Sequence, residues 1–360
     1  MAKSKNKSAN SFFVLALTAL FFLTTTTEIG ENQNRVTPSD ELPVFAAGDR
    51  VIAGGIPFGV RLHVDGVLVL NVCDVWNGKE NKRPAADAGV RKGDLVTTVN
   101  GEKIRDAAHF CDLCGGSGGN VLKLGVLRDG KPKTLTVKPE PNPDGDYKLG
   151  IWVKDSAAGI GTVTFIDPET GVFGGLGHGI TEASTGELLP LAYGTAENVA
   201  LTGVQAGRAG VPGELRGRFT GEKSGKLLKN TETGIYGLFA DVPSCVSEEL
   251  FPIGTVEDVH EGKAVMITSV ADGRRESYEI TISALCTAGK QKNFTVTVTD
   301  DRLLAETGGI VQGMSGSPVI QDGKLVGAVT HVLVGDPHSG YGILIGNMLA
   351  ELDSFTEAAA

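Results

Sequence analysis

Short apolar runs separated by turn-forming residues make up most of the chain after residue 50. Runs such as 66–72 and 162–166 have the length and the β-branched content of strands. An Asp-Gly pair at 129–130 lies between two such runs, which predicts a tight hairpin. Helical stretches are few and short: 85–89, 105–114 and 346–352. The pattern predicts a mainly β protein.

The first residues have a different pattern. Lys3, Lys5 and Lys7 precede an apolar run at 12–23, and no acidic residue occurs before Glu28. A basic segment followed by an apolar run is typical of export signals. We predict a signal peptide or a signal anchor at 1–27, with cleavage and retention both open, and an exposed linker at 28–49 that proteases can reach.

A first domain is predicted at 50–138. A short helix ends at Gly89, and the residues that follow it read G-x-x-x-G-D and, after a strand, Asn100-Gly101. This ordered set resembles a PDZ domain, an α+β module. The resemblance implies that an extended peptide adds a strand to the sheet beside the helix at 105–114, with its carboxylate held by a glycine-flanked loop. The residues that match this loop are Gly55, Ile56, Phe58, Gly59 and Val60. A PDZ fold that only spaces the next domain from the membrane is the alternative.

Three prolines at alternate positions mark a linker at 139–147, because proline neither continues a helix nor joins a central strand. The residues beyond it, 148–360, are again rich in short strands. We predict that they form a second, β-barrel domain.

The segment Gly313-Met-Ser315-Gly316-Ser-Pro is a candidate nucleophile loop. The first glycine allows the backbone to turn so that the N–H groups of Gly313 and Ser315 converge, which would form an oxyanion hole. Gly316 leaves room above the hydroxyl for a substrate. A plain glycine-rich turn would give a similar pattern.

A serine nucleophile needs a base and an orienting carboxylate. His178, enclosed by glycines at 174–179, is the first candidate base, and His331 is its rival. Spacing leaves three carboxylates open as the third member: Asp300, Asp301 and Asp241.

Composition narrows the possible partners. The chain has 33 basic and 43 acidic residues, so it lacks the basic excess of a nucleic-acid-binding protein. Cys111 and Cys114 lack the second pair that a zinc site requires, and a structural pair or an incidental disulfide is the better interpretation. We predict no metal and no cofactor.

Several segments together closely resemble the SpoIVB-type sporulation peptidases, which are PDZ-containing serine peptidases with a chymotrypsin-like active site. The segments are 150–165, 174–180, 308–332 and 341–343. The family's triad falls on His178, Asp300 and Ser315, and it is the resemblance that selects Asp300 among the carboxylates.

The resemblance also implies a biological role. The protein would be exported across the forespore membrane into the intermembrane space and would cleave itself near its amino terminus. It would then cleave an extracytoplasmic segment of a membrane regulatory complex, and so trigger activation of a late sigma factor. Its partners would be protein substrates, itself included, and the membrane. Two alternatives remain: a non-catalytic PDZ adaptor with a degenerate peptidase domain, and a quality-control protease of the HtrA type.

Overall fold

The computed structural model describes residues 44–358 except 184, 247–248 and 271–272, with side chains to residue 352. The predicted signal or anchor at 1–27 and most of the predicted linker at 28–49 lie outside the described residues. Among the residues that are described, no helix combines the length and the apolar character needed to span a membrane.

The described chain up to residue 148 contains ten strands and two helices. Its elements are β1 (Arg50–Ala53), β2 (Pro57–Val72), β3 (Val75–Trp76), β4 (Asn81–Lys82), α1 (Pro84–Asp87), β5 (Leu95–Val99), β6 (Glu102–Lys103), α2 (Ala107–Gly115), β7 (Leu122–Arg128), β8 (Lys131–Val137), β9 (Glu140–Pro141) and β10 (Tyr147–Lys148). Asp106 caps α2 by accepting a hydrogen bond from the His109 N–H. Positive φ angles at Asp129 and Gly130 make the predicted two-residue turn between β7 and β8.

Six strands then close the first barrel. The further elements of this region are β11 (Ile151–Ile166), β12 (Val172–Gly175), β13 (Tyr193–Gln205), β14 (Glu214–Thr231), β15 (Gly234–Phe239) and β16 (Leu250–Pro252). Antiparallel pairing runs in the ring β2-β11-β12-β15-β14-β13 and returns to β2. Phe58, Phe173 and Phe239 fill the interior, with ring centroids 5.6 and 4.2 Å apart in the two adjacent pairs.

A second six-stranded barrel follows. Its elements are a 3-10 turn (Val256–Asp258), β17 (Gly262–Ser269), β18 (Arg275–Ser283), β19 (Phe294–Val298), α3 (Asp301–Thr307), β20 (Pro318–Gln321), β21 (Lys324–Leu333), β22 (Asp336–Leu344) and α4 (Ile345–Ala358). The strands pair in the closed order β17-β18-β19-β22-β21-β20. The prediction of a mainly β chain with a PDZ module and a β-barrel domain is confirmed, whereas the helix α3 had no predicted counterpart.

Strands β2 and β11 belong both to the first barrel and to the sheet of the PDZ module. This PDZ sheet has the strand order β11-β2-β5-β7-β8. They pair with each other from Pro57–Thr162 at one end to Val72–Ile151 at the other. The second half of β2 pairs with β5 of the PDZ sheet, and its first half pairs with β13 of the first barrel. The sheet therefore crosses the predicted limits of 50–138 and 148–360, which stay predictions of domain boundaries.

Because β2 and β11 are shared, removing one of them by truncation should affect the stability of the first barrel. A chain that begins at residue 148 lacks β2, and the first barrel then has two unpaired edges in place of a closed ring. We expect this fragment to show no cooperative thermal transition by circular dichroism. A matched deletion that joins Val72 to Ile151 through an Asn-Gly turn keeps both strands, since these two residues are already partners, and it should unfold cooperatively. A cooperative transition of the fragment that begins at 148 would contradict this interpretation.

Candidate active site

A cleft of about 950 Å³ is lined by residues of both barrels. The first barrel contributes Ile160 and the loop that carries His178, and the second barrel contributes Gly313, Ser315 and His331. The predicted base and the predicted nucleophile thus line the same cavity. They are 137 positions apart in the sequence (315 − 178).

The nucleophile loop is bent by two glycines. Gly313 and Gly316 both have a φ of 99°, a conformation that residues with a Cβ rarely adopt. A Cβ on Gly316 would also collide with the carbonyl oxygen of Thr162. Ser315 is held half-buried between them, and glycine is required at position 316 for both conformation and space.

Two threonines of β11 hold the backbone of this loop. The Thr162 N–H donates to the Ser315 carbonyl at 2.9 Å, and its Oγ1 donates to the Gly313 carbonyl at 2.8 Å. The Thr164 Oγ1 donates to the Gly316 carbonyl at 2.7 Å. Neither threonine can be predicted from the sequence, because nothing local in a Thr-Val-Thr strand indicates contact with a loop that lies 151 or 152 positions away.

The two predicted oxyanion donors lie on anchored peptides. The carbonyl of Gln312 accepts a hydrogen bond from the Leu215 N–H at 2.8 Å, so the Gly313 N–H of the same trans peptide points the opposite way. The Met314 carbonyl, which is in the same peptide as the Ser315 N–H, accepts a hydrogen bond from the Ser317 N–H at 2.9 Å. Within the described residues, neither the Gly313 N–H nor the Ser315 N–H donates to a backbone carbonyl. Both residues line the cleft, so these amides are available to an anion there.

His178 follows two residues in the left-handed region, Leu176 and Gly177, with φ of 67° and 66°. Its Nδ1 lies 2.9 Å from the Gly179 carbonyl oxygen. Because a carbonyl can only accept, Nδ1 carries the proton and Nε2 is left to act as a base. Burial lowers the pKa of His178 below its ordinary value, and the bond to Gly179 opposes this shift. The neutral imidazole is therefore the favoured form.

The serine hydroxyl is not bonded to this base in the structure. Ser315 Oγ donates instead to the carbonyl of Thr330 on β21. The ring of His331, the rival base, lies against His178 with centroids 4.5 Å apart and planes tilted by 33°. Burial, followed by the nearby His178 and Lys292, lowers the pKa of His331 to about 4. The hydroxyl has to rotate before His178 can take its proton.

Asp300 has other partners in the structure. It caps α3, forms an ion pair with Arg302 at 2.9 Å and accepts from the Glu279 N–H at 3.2 Å. Arg302 is the main cause that lowers the pKa of Asp300 to about 2. Asp300 is not among the described residues that line the cleft, and its place in the triad stays a prediction. Asp301 and Asp241 are exposed, and Asp241 lines a different cavity.

The predicted PDZ peptide loop lies inside the first barrel. Its members are Gly55, Ile56, Phe58, Gly59 and Val60. The Gly55 N–H donates to the Val163 carbonyl at 2.8 Å, and Gly59 pairs with Ile160 on one side and Glu197 on the other. Both edges of the segment are occupied, so a peptide cannot add a strand there. The structure corrects the predicted position, which sequence could not locate because the strand partners are distant in the chain.

An unpaired edge lies instead at the beginning of β11, beside α2. The Val69 N–H bonds to the Asp94 carbonyl at 2.8 Å, on the side of β2 away from β11. The opposite residue, Val153, therefore directs its own N–H and carbonyl away from β2. Helix α2 is close by, since the Ala107 N–H donates to the Asp155 carboxylate at 2.9 Å. A strand edge beside a helix is the geometry of a peptide groove.

Cys111 and Cys114, the two cysteines considered as a pair, both lie on α2. Cys111 is exposed, Cys114 is buried, and the two are not disulfide-bonded. Burial raises the pKa of the Cys114 thiol to about 12, which makes it unreactive. In the described part of the chain, no group of three or more His, Cys, Asp or Glu side chains is placed to hold a metal ion.

Two closed antiparallel barrels with a serine and a histidine in one cleft, preceded by a PDZ module, define a protein of the two-barrel serine peptidase class. The family model of the SpoIVB peptidase S55 matches residues 145–349, and a PDZ domain model matches residues 54–138. The chain belongs to the SpoIVB peptidase S55 family.

Other similarities are partial. The chain is 32% identical over 111 residues to a protein of Bartonella henselae described as a periplasmic DegP-like serine endoprotease, with 25% of this chain and 22% of that protein covered. It is 29% identical over 101 residues to the zinc metalloprotease RasP of Bacillus licheniformis, covering 28% and 22%. Among solved structures, the inactive form of the Rv3671c protease of Mycobacterium tuberculosis matches at a TM-score of 0.30 and 15% identity, covering 54% and 83%. The chain spans well under two thirds of the curated relatives' length.

The depressed pKa of His178 predicts the acid limb of a pH profile. Because burial favours the neutral imidazole, half-protonation of the base requires a pH lower than about 6.5, which is the ordinary pKa of histidine. We expect kcat/KM for peptide hydrolysis to fall on acidification with a midpoint below about 6.5. Circular dichroism over the same range would control for acid unfolding. A midpoint at or above 6.5, with the fold intact, would show that His178 is not the titrating base.

Proposed function

We propose that the protein is an exported serine endopeptidase of sporulation signalling. The observation that carries the proposal is the cleft, in which His178, Ser315 and the free N–H groups of Gly313 and Ser315 line one cavity. These are the base, the nucleophile and the oxyanion donors of acyl transfer.

The geometry supports the following mechanism. A bound peptide carbonyl enters the cleft, and Ser315 Oγ rotates from the Thr330 carbonyl towards Nε2 of His178. As Oγ attacks the carbonyl carbon, its proton passes to Nε2, and the oxyanion is held by the amides of Gly313 and Ser315. His178 then gives the proton to the leaving amine. A water molecule, deprotonated by the same nitrogen, hydrolyses the acyl enzyme.

Asp300 is proposed as the carboxylate that stabilises the His178 imidazolium, on the basis of the family resemblance. The contacts seen here set the condition for this role. Nδ1 of His178 bonds to the Gly179 carbonyl, and Asp300 is paired with Arg302. Both contacts would have to be exchanged for the carboxylate to receive the Nδ1 proton in a hydrogen bond, so the assembled triad would be a substrate-bound state.

The finer role follows the family. We propose that the enzyme acts in the space between the two sporulation membranes, cleaves itself in the segment 28–49, and cleaves an extracytoplasmic segment of a membrane regulatory complex that controls a late sigma factor. A peptidase cleft joined to a PDZ module supports protein substrates. A non-catalytic PDZ adaptor and a quality-control protease of the HtrA type are the competing functions.

We further propose that the PDZ module binds a peptide with a free carboxyl terminus along the Val153 edge of β11. The Leu149 carbonyl is bonded to the Ala85 N–H at 3.1 Å and the Gly150 carbonyl to the Cys73 N–H at 2.8 Å. The N–H groups on the opposite sides of these peptides, at Gly150 and the following residue, remain for a ligand. Gly150 has a φ of 71°, and successive N–H groups at such a turn form anion-binding concavities.

The nucleophile assignment is tested by Ser315→Ala. This variant should lose fluorophosphonate labelling and self-cleavage, because the attacking oxygen is gone, while its thermal midpoint stays near that of the wild type. Ser224→Ala, which changes a half-buried serine of β14, is the matched control and should label normally.

The same assay separates the competing functions. A wild-type protein that takes up no label would favour the adaptor, and rapid digestion of unfolded casein would favour the quality-control protease. Labelling that persists in Ser315→Ala would show that another residue is the nucleophile.

The peptide groove is tested through its strand edge. Val153→Pro removes the N–H that faces the open edge and no hydrogen bond to β2, so peptide affinity should fall by about tenfold or more, the effect of about 1.4 kcal/mol. Val153→Ala keeps the N–H and is the control. Fluorescence of Trp152, whose exposed fraction is 65%, can report binding. Equal affinity for a peptide and its carboxyl-terminal amide would contradict the proposed carboxylate site.

A further inference from the structure

The hairpin β13–β14 extends from the first barrel into the second. We call its distal part, residues 199–219, the arm. Leu215 of the arm is only 6% exposed and belongs to the apolar core of the second barrel, and Leu201 and Val204 pack against the same core. The barrel that carries His178 thus supplies side chains to the core under Ser315.

The arm is also bonded to the chain that leads into the nucleophile. The Gly207 N–H donates to the Thr307 carbonyl at 2.8 Å, and the Gln312 N–H donates to the Gly213 carbonyl at 2.9 Å. The Leu215 N–H completes a two-way exchange by donating to the Gln312 carbonyl at 2.8 Å. Three backbone hydrogen bonds therefore fix the segment that ends at Gly313.

The last of these bonds sets the direction of an oxyanion donor. In a trans peptide the carbonyl and the N–H point in opposite directions, so holding the Gln312 carbonyl on the arm aims the Gly313 N–H away from it. The Leu215 side chain supports the same residue, because a Cβ on Gly313 would lie 3.0 Å from the Leu215 Cβ. Gly313 has a φ of 99°. As a glycine it has no side chain, so contacts from neighbouring residues have to keep it in place.

We propose that the arm is the positioning element of the oxyanion hole and that Leu215 is its positioning residue. The inference rests on the proposed peptidase function and deepens it: the first barrel supplies the base and also orients a backbone donor in the second. Shortening the Leu215 side chain leaves the Leu215 N–H in place but weakens the packing that holds the arm on the core, so the hydrogen bond to the Gln312 carbonyl loosens and the Gln312–Gly313 peptide can turn. One oxyanion donor is then lost, while the base and the binding walls of the cleft remain.

The test compares variants of the arm in the full chain with a peptide substrate. Leu215→Ala should lower kcat by about 10²-fold, the effect of losing one oxyanion donor, with KM within about twofold of the wild type. A peptidyl boronic acid should bind weaker by a similar factor, and the pH midpoint should not move. Leu215→Met keeps the side-chain volume and should restore kcat. Leu285→Ala, which shortens a partly buried leucine that packs on the same core but lies outside the arm, is the matched control.

The outcomes are distinct from failure of the proposed function. A wild-type chain without hydrolysis or labelling would overturn the peptidase itself. An active wild type with unchanged kcat in Leu215→Ala, or an equal loss in Leu285→Ala, would overturn only the role of the arm. If Leu215→Ala is unfolded at the assay temperature, Leu215→Val gives the same test with a smaller loss of kcat at constant KM. A loss that appears in KM alone would also reject the proposal.

Discussion

The antiparallel pairing of β2 with β11 is the constraint on which the rest of the structure depends. Each strand is 16 residues long, and each lies partly in the PDZ sheet and partly in the first barrel. Without these two strands the first barrel opens, and the PDZ sheet loses the two strands at one of its edges. Successive side chains of a strand point to opposite faces of the sheet. This alternation fixes the register of β2 against β11, because a slip of one residue would turn the buried side chains of both modules towards solvent. The two modules therefore share these two strands, although they match separate family models.

The same strand connects three functional regions in order. The unpaired Val153 edge lies at its beginning, Ile160 lines the cleft further along, and Thr162 bonds to the carbonyls of Gly313 and Ser315. Nine residues of extended chain separate Val153 from Thr162, a span of about 30 Å at about 3.3 Å per residue. A peptide added to the open edge would pair with the strand that holds the nucleophile loop. No hinge or flexible linker lies between the two sites.

The sequence predicts what is local and fails where partners are distant. Ser315 and His178, predicted from the glycines around them, line one cleft in the structure, and their catalytic roles stay predictions. The β7–β8 hairpin is predicted correctly, because its turn residues Asp129 and Gly130 are adjacent in the sequence. The peptide loop was misplaced because the partners of Gly59, at Ile160 and Glu197, are about 100 and 140 residues away. Thr162 and Leu215 were missed for the same reason. Asp300 accepts a hydrogen bond from the Arg302 N–H as the N-cap of α3, a position that favours aspartate, but the sequence did not predict this helix.

The Ser315 side chain can rotate within the cleft, whereas the backbone of the loop around it is held by hydrogen bonds. Rotation of Ser315 from the Thr330 carbonyl to His178 exchanges one hydrogen bond for another, and a single such bond contributes only about 0.5–1.5 kcal/mol net. In the proposed mechanism a substrate can therefore complete the contact between nucleophile and base as it binds. The proposed oxyanion donors are different, because an amide that must turn during the reaction stabilises the transition state less than one already in place. The loop is accordingly held from three sides: the arm bonds to the Gln312 carbonyl, Ser317 of the loop to the Met314 carbonyl, and Thr162 of β11 to the carbonyls of Gly313 and Ser315. The side chains of the site can adjust on binding, whereas its backbone donors have to be built by the fold.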